Sequence, residues 1–573
     1  MLEPDGELIP VAANDCCNGS AAPEAPKSKK RLRKRPCRRT LPSRPRVQSK
    51  AQAGSSEQKK WTAGPSSVDD VLRWPLIFAD SMEAHRDAHG WDYWSAMVGS
   101  IQRGIAFSTD YSGIGVPEVA IGHIVDLLEM KSVPAKKGVV LVRACDSESR
   151  CRRVLQAHQP EHRRPRCLHG DLLERMSKEL ASAIDKLLKE SDKELQATMR
   201  CRAATRLAAK KKMDEKLEGE ICKLLKKELA RTQRPVVLSA FCYNCKRTCE
   251  VVKECGSECG PGPGPTGKRN RSQDPDRLRI NVSGICCYDW SSRGQQRGYL
   301  GRTAKVLVQW LFERLVGQED LCIVECTRRF KPSILIKVLG ETHDISFCIF
   351  NPLEMGFGMS RTRIYVICIR KTSLRWSAPL DFPSTLRCLF NRANIIHGSA
   401  FFRAPDSDVG QFMERIADKR NLELPKQVKS GNVDNVYKLL CGSGHRIREG
   451  RYLEMARRST MQLHEDDVDF VCDQSQTPGD FGGVTRHVPS FTTKTEPHSL
   501  LLRRPMLTAE KCEAMGLPYY TPDGFEFKNP LKHLVASDEF TSGQWNTMLG
   551  NSMHVGAVGA VLMLSLACTE AVV

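Results

Sequence analysis

Six apolar runs, each the length of a buried strand, recur between helix-like stretches, and this alternation restricts the fold more than any other feature of the chain. The runs are residues 105–109, 139–144, 278–282, 321–324, 345–350 and 364–369. Residues 303–317 illustrate the helical kind: Val306, Leu307, Trp310, Leu311 and Leu315 fall on one face, with Thr303 placed to cap the N-terminus. Strands alternating with helices predict an α/β fold, a mostly parallel sheet covered on both faces. In open sheets of this kind ligands gather at the carboxyl ends of strands. The residues just beyond each run are therefore where chemistry is to be sought.

At 573 residues the chain can hold two or three domains, one of them with a large core. Its formal charge is +20, and residues 27–46 carry eleven Lys or Arg and no acid, leaving +9 for the remainder. A basic arm on a moderately basic body suits a polyanion, because each neutralised phosphate releases condensed counterions. The arm also reads as a nuclear-import signal or a solvated tail; the readings point to nucleic acid or the nucleus, and a nuclear protein is expected. Residues 1–70 are rich in Ala, Pro, Ser and basic residues, with little to bury, and are expected to be a disordered basic tail. Glu3, Asp5 and Glu7 interrupt the first ten residues, which lack the apolar run of a secretion signal. The 24 cysteines are accordingly read as reduced thiols of an intracellular protein. The apolar stretch Val555–Cys568 has 14 residues, which fits a buried helix better than the roughly 20 needed to span a bilayer. No membrane partner is expected.

An insertion, residues 172–270, interrupts the alternation. Its first part is dominated by Lys, Arg and Glu, and the stripes Leu180, Ile184, Leu187 and Leu217, Ile221, Leu224 predict one long helix or a helical hairpin. Such an arm is either a solvated insertion or a surface for a protein partner. Five cysteines follow, Cys242, Cys245, Cys249, Cys255 and Cys259, then a Gly-Pro repeat. Cys242 and Cys245 have the spacing of half a zinc knuckle. The other spacings are irregular, five is one too many for a tetrahedral site and no His lies close by. The expectation is flexible thiols and no metal.

The most chemically suggestive segment is Gly284-Ile285-Cys286-Cys287-Tyr288-Asp289-Trp290-Ser291, a cysteine-bearing loop after a buried strand. Four other segments share its setting: Tyr111-x-Gly113-x-Gly115, Glu325 at the end of an apolar run, Arg361-x-Arg363 entering another, and Gly550-Asn551-Ser552-Met553. In this order the set resembles the DNA cytosine-5 methyltransferase family, over residues 104–370 and 488–568. The family's nucleophile segment reads Gly-Pro-Pro-Cys-Gln-x-Phe/Trp-Ser, and Gly284, Cys287, Trp290 and Ser291 keep its places.

The resemblance implies a Rossmann-like, S-adenosylmethionine-dependent methyltransferase fold with a helical insertion and a smaller target-recognition region. It divides the chain into a catalytic domain at 71–370, a target-recognition region at 371–487 and a C-terminal return at 488–573. It also implies roles. Cys287 is the nucleophile, preferred to Cys286, which stands at the second proline of the pattern. Arg293 and Arg297 follow it in sequence and are candidates for the positive charge that favours a thiolate. Glu325 holds or protonates ring nitrogen 3, a task that a raised carboxyl pKa would serve. Arg363 bonds oxygen 2, and Arg361 orients the loop or a phosphate. Tyr111, Gly113 and Gly115 form the cofactor turn, Asp146 accepts the ribose hydroxyls, Asp171 takes the adenine amine, and Asn551 with Ser552 closes over the cofactor. Residues 507–518 resemble the segment that supports the recognition region.

Departures from the pattern are Thr109 for an Asp (with Asp110 beside it), Tyr288 for Gln, Cys326 for Asn, Gly358 for Pro and Met359 for Gln. The expected activity is methylation of cytosine carbon 5 in DNA by a monomeric catalytic unit that flips the base out of the duplex. The alternatives are an RNA cytosine-5 methyltransferase and a nucleic-acid-binding protein on the same fold that has lost catalysis.

Overall fold

The computed structural model describes residues 62–572 apart from 87–89, 135–136, 199–202, 233–237, 252–276, 293, 318, 425–436, 464–468, 480–481 and 538. Most of the expected basic tail, Cys255, Cys259 and Arg293 lie outside the described residues. The fold begins before the expected boundary at Val71. Ser67 closes a capping box on the helix Val68–Leu72, and Val68 is buried in the main core.

Every one of the six apolar runs forms a strand. In chain order the strands are β1 (Ile105–Asp110), β2 (Val139–Cys145), β3 (Cys167–His169), β4 (Ser239–Cys242), β5 (Arg247–Glu250), β6 (Leu278–Gly284), β7 (Leu321–Thr327), β8 (His343–Phe350) and β9 (Arg363–Arg370). They form one sheet in the order β5-β4-β3-β2-β1-β6-β7-β9-β8. β3, β2, β1, β6 and β7 are mutually parallel, and β9 runs against both β7 and β8. The β4–β5 hairpin extends the β3 edge in antiparallel fashion. Without that hairpin, seven strands with only β9 reversed give the Rossmann-like methyltransferase fold. β3, β4 and β5 are three or four residues long with mixed composition, so no apolar run announces them.

Strand alternation sends neighbouring side chains to opposite faces. Phe107, Ile280, Ile323 and Ile367 point into one layer, with the helices Tyr93–Gln102, Val116–Met130 and Val555–Cys568. All fourteen residues of Val555–Cys568 are buried. By length and composition Ser542–Cys568 could cross a membrane, yet 94% of its apolar window is buried inside the fold. Gly559 permits the close packing there, since an added Cβ would stand 2.1 Å from the Trp74 ring.

Cys322, Val324, Val366 and Cys368 point into the opposite layer, with the helices Ala304–Gly317 and Ser333–Leu339. The insertion covers these helices in turn. Lys178–Thr198 and Ala203–Arg231 lie antiparallel, with Glu179 paired to Arg231 and Glu194 to Lys216. Leu180, Ile184, Leu217, Ile221 and Leu225 join the same core as Trp290, Leu307 and Leu311. The insertion is thus a helical hairpin that adds a layer, rather than a solvated arm. For the same reason Ala304–Gly317 is buried on more than the expected stripe: Val308 and Phe312 are covered, while Val306 and Leu315 are only half-buried.

Beyond β9, Leu374, Phe382, Leu386 and Phe390 still belong to the main core. A smaller unit follows, in which the helix Ser443–Leu463 packs on a four-stranded sheet of Val471–Asp473, Val484–Thr485, Pro497–Ser499 and Arg504–Pro505. That sheet straddles the boundary expected at 487–488.

Candidate active site

Register brings the first candidates together. Gly284, closing β6, lies opposite Glu325 in β7, and Ile285 N–H donates to the Glu325 carbonyl at 3.0 Å. Because β9 is reversed, its first residue, Arg363, pairs with Thr327 at the same end of β7. The Arg363 Nε then stands 2.9 Å from Glu325 Oε1. A guanidinium and a carboxylate 38 positions apart in sequence are thereby fixed beside the cysteine loop.

That loop is a tight turn. The N–H groups of Trp290 and Ser291 both donate to the Cys287 carbonyl, at 3.0 and 2.8 Å. Buried Asp289 accepts from the Thr303 N–H at 2.9 Å and from its hydroxyl at 2.7 Å, so the Thr303 hydroxyl anchors the loop. Trp290 packs edge-on against Tyr299 and Phe330. A Cβ at Gly284 would meet Met553 Cε at 3.0 Å, the Tyr111 carbonyl at 3.5 Å and Glu325 Oε2 at 3.9 Å. The cofactor turn, the cysteine strand, the glutamate strand and the C-terminal return therefore converge on one point.

Cys287 is half-buried and Cys286 exposed. Burial pushes the Cys287 thiol up, Arg363 pulls it down, Glu325 pushes it up and Arg361 pulls it down again. The helpful positive charge thus comes from the Arg-x-Arg pair. Arg297 does not supply it, because its guanidinium binds Asp192 of the insertion. Arg361 is buried and binds the carbonyls of Phe491, Gly550 and Ser552. These bonds tie the entrance of β9 to the turn that carries Asn551.

The cofactor turn has the backbone its glycines predict. Tyr111, Gly113 and Gly115 have φ of 53°, 57° and 83°, in the left-handed region. A Cβ on Gly113 would meet nothing within 4 Å, whereas one on Gly115 would strike His158 at 2.4 Å. Open space at Gly113 and close packing at Gly115 leave room on one side of the turn, where a ligand could approach the backbone. Asp146 Oδ2 accepts from Gly113 N–H at 2.8 Å and its Oδ1 from Glu148 N–H at 2.9 Å. Asp171 follows β3 and caps the next turn through Leu173 N–H at 2.9 Å. Asn551 is exposed, while Ser552 is buried with its hydroxyl on the Leu549 carbonyl.

Asp110 is no substitute for the Asp missing at position 109. Adjacent strand residues face opposite ways, and Asp110 enters a buried cluster with Arg143, Arg175 and Arg314. Burial pushes its carboxyl up, but the three guanidinium groups and Asn281 outweigh this and hold it at about 2. Thr109 instead donates to Glu118 at 2.5 Å. The other departures have structural places. The Tyr288 ring lies under the Arg302 guanidinium at 4.1 Å. Cys326 is buried in the layer facing the insertion, and Met359 is buried where Gly358 and Ser360 exchange hydrogen bonds with Val488.

Two groups escape a reading of the sequence. Glu118 is buried in the first turn of the helix Val116–Met130, with no local pattern to mark it. The second is Cys167. The sulfurs of Cys167, Cys242, Cys245 and Cys249 all lie within 4.8 Å of one another. These are not scattered thiols: three of the cysteines expected to be flexible join Cys167 in a set that could hold a metal ion. Local spacing could not supply the fourth sulfur, because Cys167 precedes the others by 75 or more positions and reaches them only through the pairing of β3 with β4.

No protein-family model matches the chain, and no curated protein sequence matches it. Solved structures similar to it include the Dnmt2 methyltransferase of S. pombe, at 10% identity over 80% of this chain and 98% of that one, with a TM-score of 0.36. The Entamoeba histolytica methyltransferase EhMeth is 10% identical over 80% and 97%, with a TM-score of 0.37. A DNMT2 variant from Spodoptera frugiperda is 12% identical over 80% and 99%, with a TM-score of 0.32. The fold is assigned from this chain's own strand order: it is α/β, of the Rossmann-like methyltransferase kind.

Proposed function

We propose that the protein is an S-adenosylmethionine-dependent methyltransferase acting on carbon 5 of cytosine in DNA. The observation that carries this reading is the ion pair of Glu325 with Arg363, held by strand register beside the Cys287 loop. Tyr111, Gly113 and Gly115, with Asp146, Asp171, Asn551 and Ser552, would hold the cofactor, and the open space at Gly113 fits one. When bound, S-adenosylmethionine supplies an electrophilic methyl group.

Cytosine carbon 5 is a poor nucleophile, so the chain must activate it. Cys287, as thiolate, adds to carbon 6 and makes carbon 5 electron-rich. Glu325 carries a proton at ring nitrogen 3 and stabilises the adduct, and Arg363 holds oxygen 2 in place. Once carbon 5 is methylated it gives its proton to a base. The bond from carbon 6 to the Cys287 sulfur then breaks, which restores the ring and the thiolate. A duplex hides carbon 6, so the base must be flipped into the site.

Product analysis tests the reading. Duplex DNA, tRNA and cofactor labelled in the methyl group are incubated with the full chain, and the nucleosides are separated. 5-Methylcytosine in DNA is the expected product. Label confined to RNA selects the RNA enzyme, and no transfer at all selects the binding protein.

A further inference from the structure

We infer that Cys167, Cys242, Cys245 and Cys249 bind one zinc ion, which staples the insertion to the edge of the main sheet. The inference does not depend on the methyltransferase reading.

Strand pairing assembles the four sulfurs. In the β4–β5 hairpin, Ala240 pairs with Cys249 and Cys242 with Arg247, so Ala240, Cys242 and Cys249 share the buried face. β4 also runs antiparallel to β3, with His169 opposite Cys242. Two residues back along β3, Cys167 therefore comes level with the turn that carries Cys245. Asn244 fixes this turn against β3 by donating to the Pro165 carbonyl at 2.8 Å. The Cys167 and Cys245 sulfurs are 4.0 Å apart. That is about twice a disulfide bond, and close to the ~3.8 Å edge of a tetrahedron with metal–sulfur bonds of about 2.3 Å.

Two further features point to a metal. The N–H groups of Leu168 and Cys245 both point at the Cys242 sulfur, each at 3.4 Å. Amides directed at a sulfur stabilise it as a thiolate, the form a metal requires. Cys167, Cys242 and Cys249 are also buried together, with Cys245 partly buried against them, and four sulfurs fill a tetrahedron without leaving a position for a substrate. Four thiolates in a closed tetrahedral set suit a structural zinc ion. Its place has a consequence for the main sheet: β3 runs directly into Gly170 and Asp171, so the ion would brace both the insertion and that loop.

The test is metal analysis of the full chain, purified under reductant, loaded with zinc and passed through a weak chelator. About one zinc per chain is expected. C167S should lose it, while C222S, which alters a cysteine of the insertion helix, should keep it. Should C167S fail to fold, cobalt replacement in the unaltered chain decides the matter, giving the intense visible bands of tetrahedral cobalt with thiolate charge transfer. An unaltered chain that retains no metal, a folded C167S that retains zinc, a chain that selects iron, or a cobalt spectrum without thiolate bands would each overturn the inference.

Discussion

On the proposed reading Cys287 sheds a proton before it attacks a pyrimidine, and its surroundings both hinder and help. Burial pushes the thiol up and Arg363 is the largest opposing influence. Alkylation by iodoacetamide should therefore reach half its maximal rate above the ordinary thiol value of about 8.5. R363Q should move that midpoint higher still, and alkylation of residue 287 at pH 8 should slow roughly tenfold for every pH unit the midpoint rises. A profile unmoved by R363Q would separate the guanidinium from the thiol. Glu118 gives a second prediction of this kind. Burial lifts its carboxyl from 4.5 to about 7, against the hydrogen bond from Thr109. The folded state then holds a proton that the unfolded chain releases between those values. The resulting stabilisation is complete below pH 4.5 and falls away by about 3 kcal/mol as pH rises through 7. E118Q, which mimics the protonated group, should flatten this decline in urea midpoints between pH 5 and 8. An unchanged slope would show that Glu118 does not titrate there.

Among the elements, β1 combines two tasks: it ends in the cofactor turn, and its last residue anchors a buried charge cluster. Asp110 faces Arg143 from β2, Arg175 from the segment after β3 and Arg314 from the helix Ala304–Gly317. Removing its charge leaves three guanidinium groups short of an acid, so D110N should cost about 3–5 kcal/mol in denaturant unfolding. A loss under about 1 kcal/mol would mean that Glu313 and Glu319 suffice. The long strands are legible in sequence because their apolar runs need no partner to be recognised, whether both faces are buried, as in β7, or Phe347 and Ile349 are left exposed, as in β8. β3, β4 and β5 are not, since three or four mixed residues become strands only by pairing with one another. The insertion's stripes predict its helices, but not that a second helical layer buries Val308 and Phe312 beneath it.

For the molecule as a whole, the site is legible in sequence as separate segments, and only the fold makes it a site. Cys287, Glu325 and Arg363 are identified by order and resemblance, but nothing local shows that Gly284 faces Glu325 or that β9 runs backwards to deliver Arg363. The same limit hides Cys167, whose partners lie 75 or more positions away, and makes Arg297 misleading, since it neighbours Cys287 in sequence but binds the insertion. In the proposed reaction Cys287 attacks a cytosine held by Glu325 and Arg363. The direct test uses duplex DNA containing 5-fluorocytosine, where fluorine replaces the proton that must leave and traps the adduct. With S-adenosylmethionine present, a denaturant-resistant protein–DNA complex should form, persist in C286A and vanish in C287A. A complex that survives C287A, or none with the unaltered chain on either DNA or RNA, would contradict it.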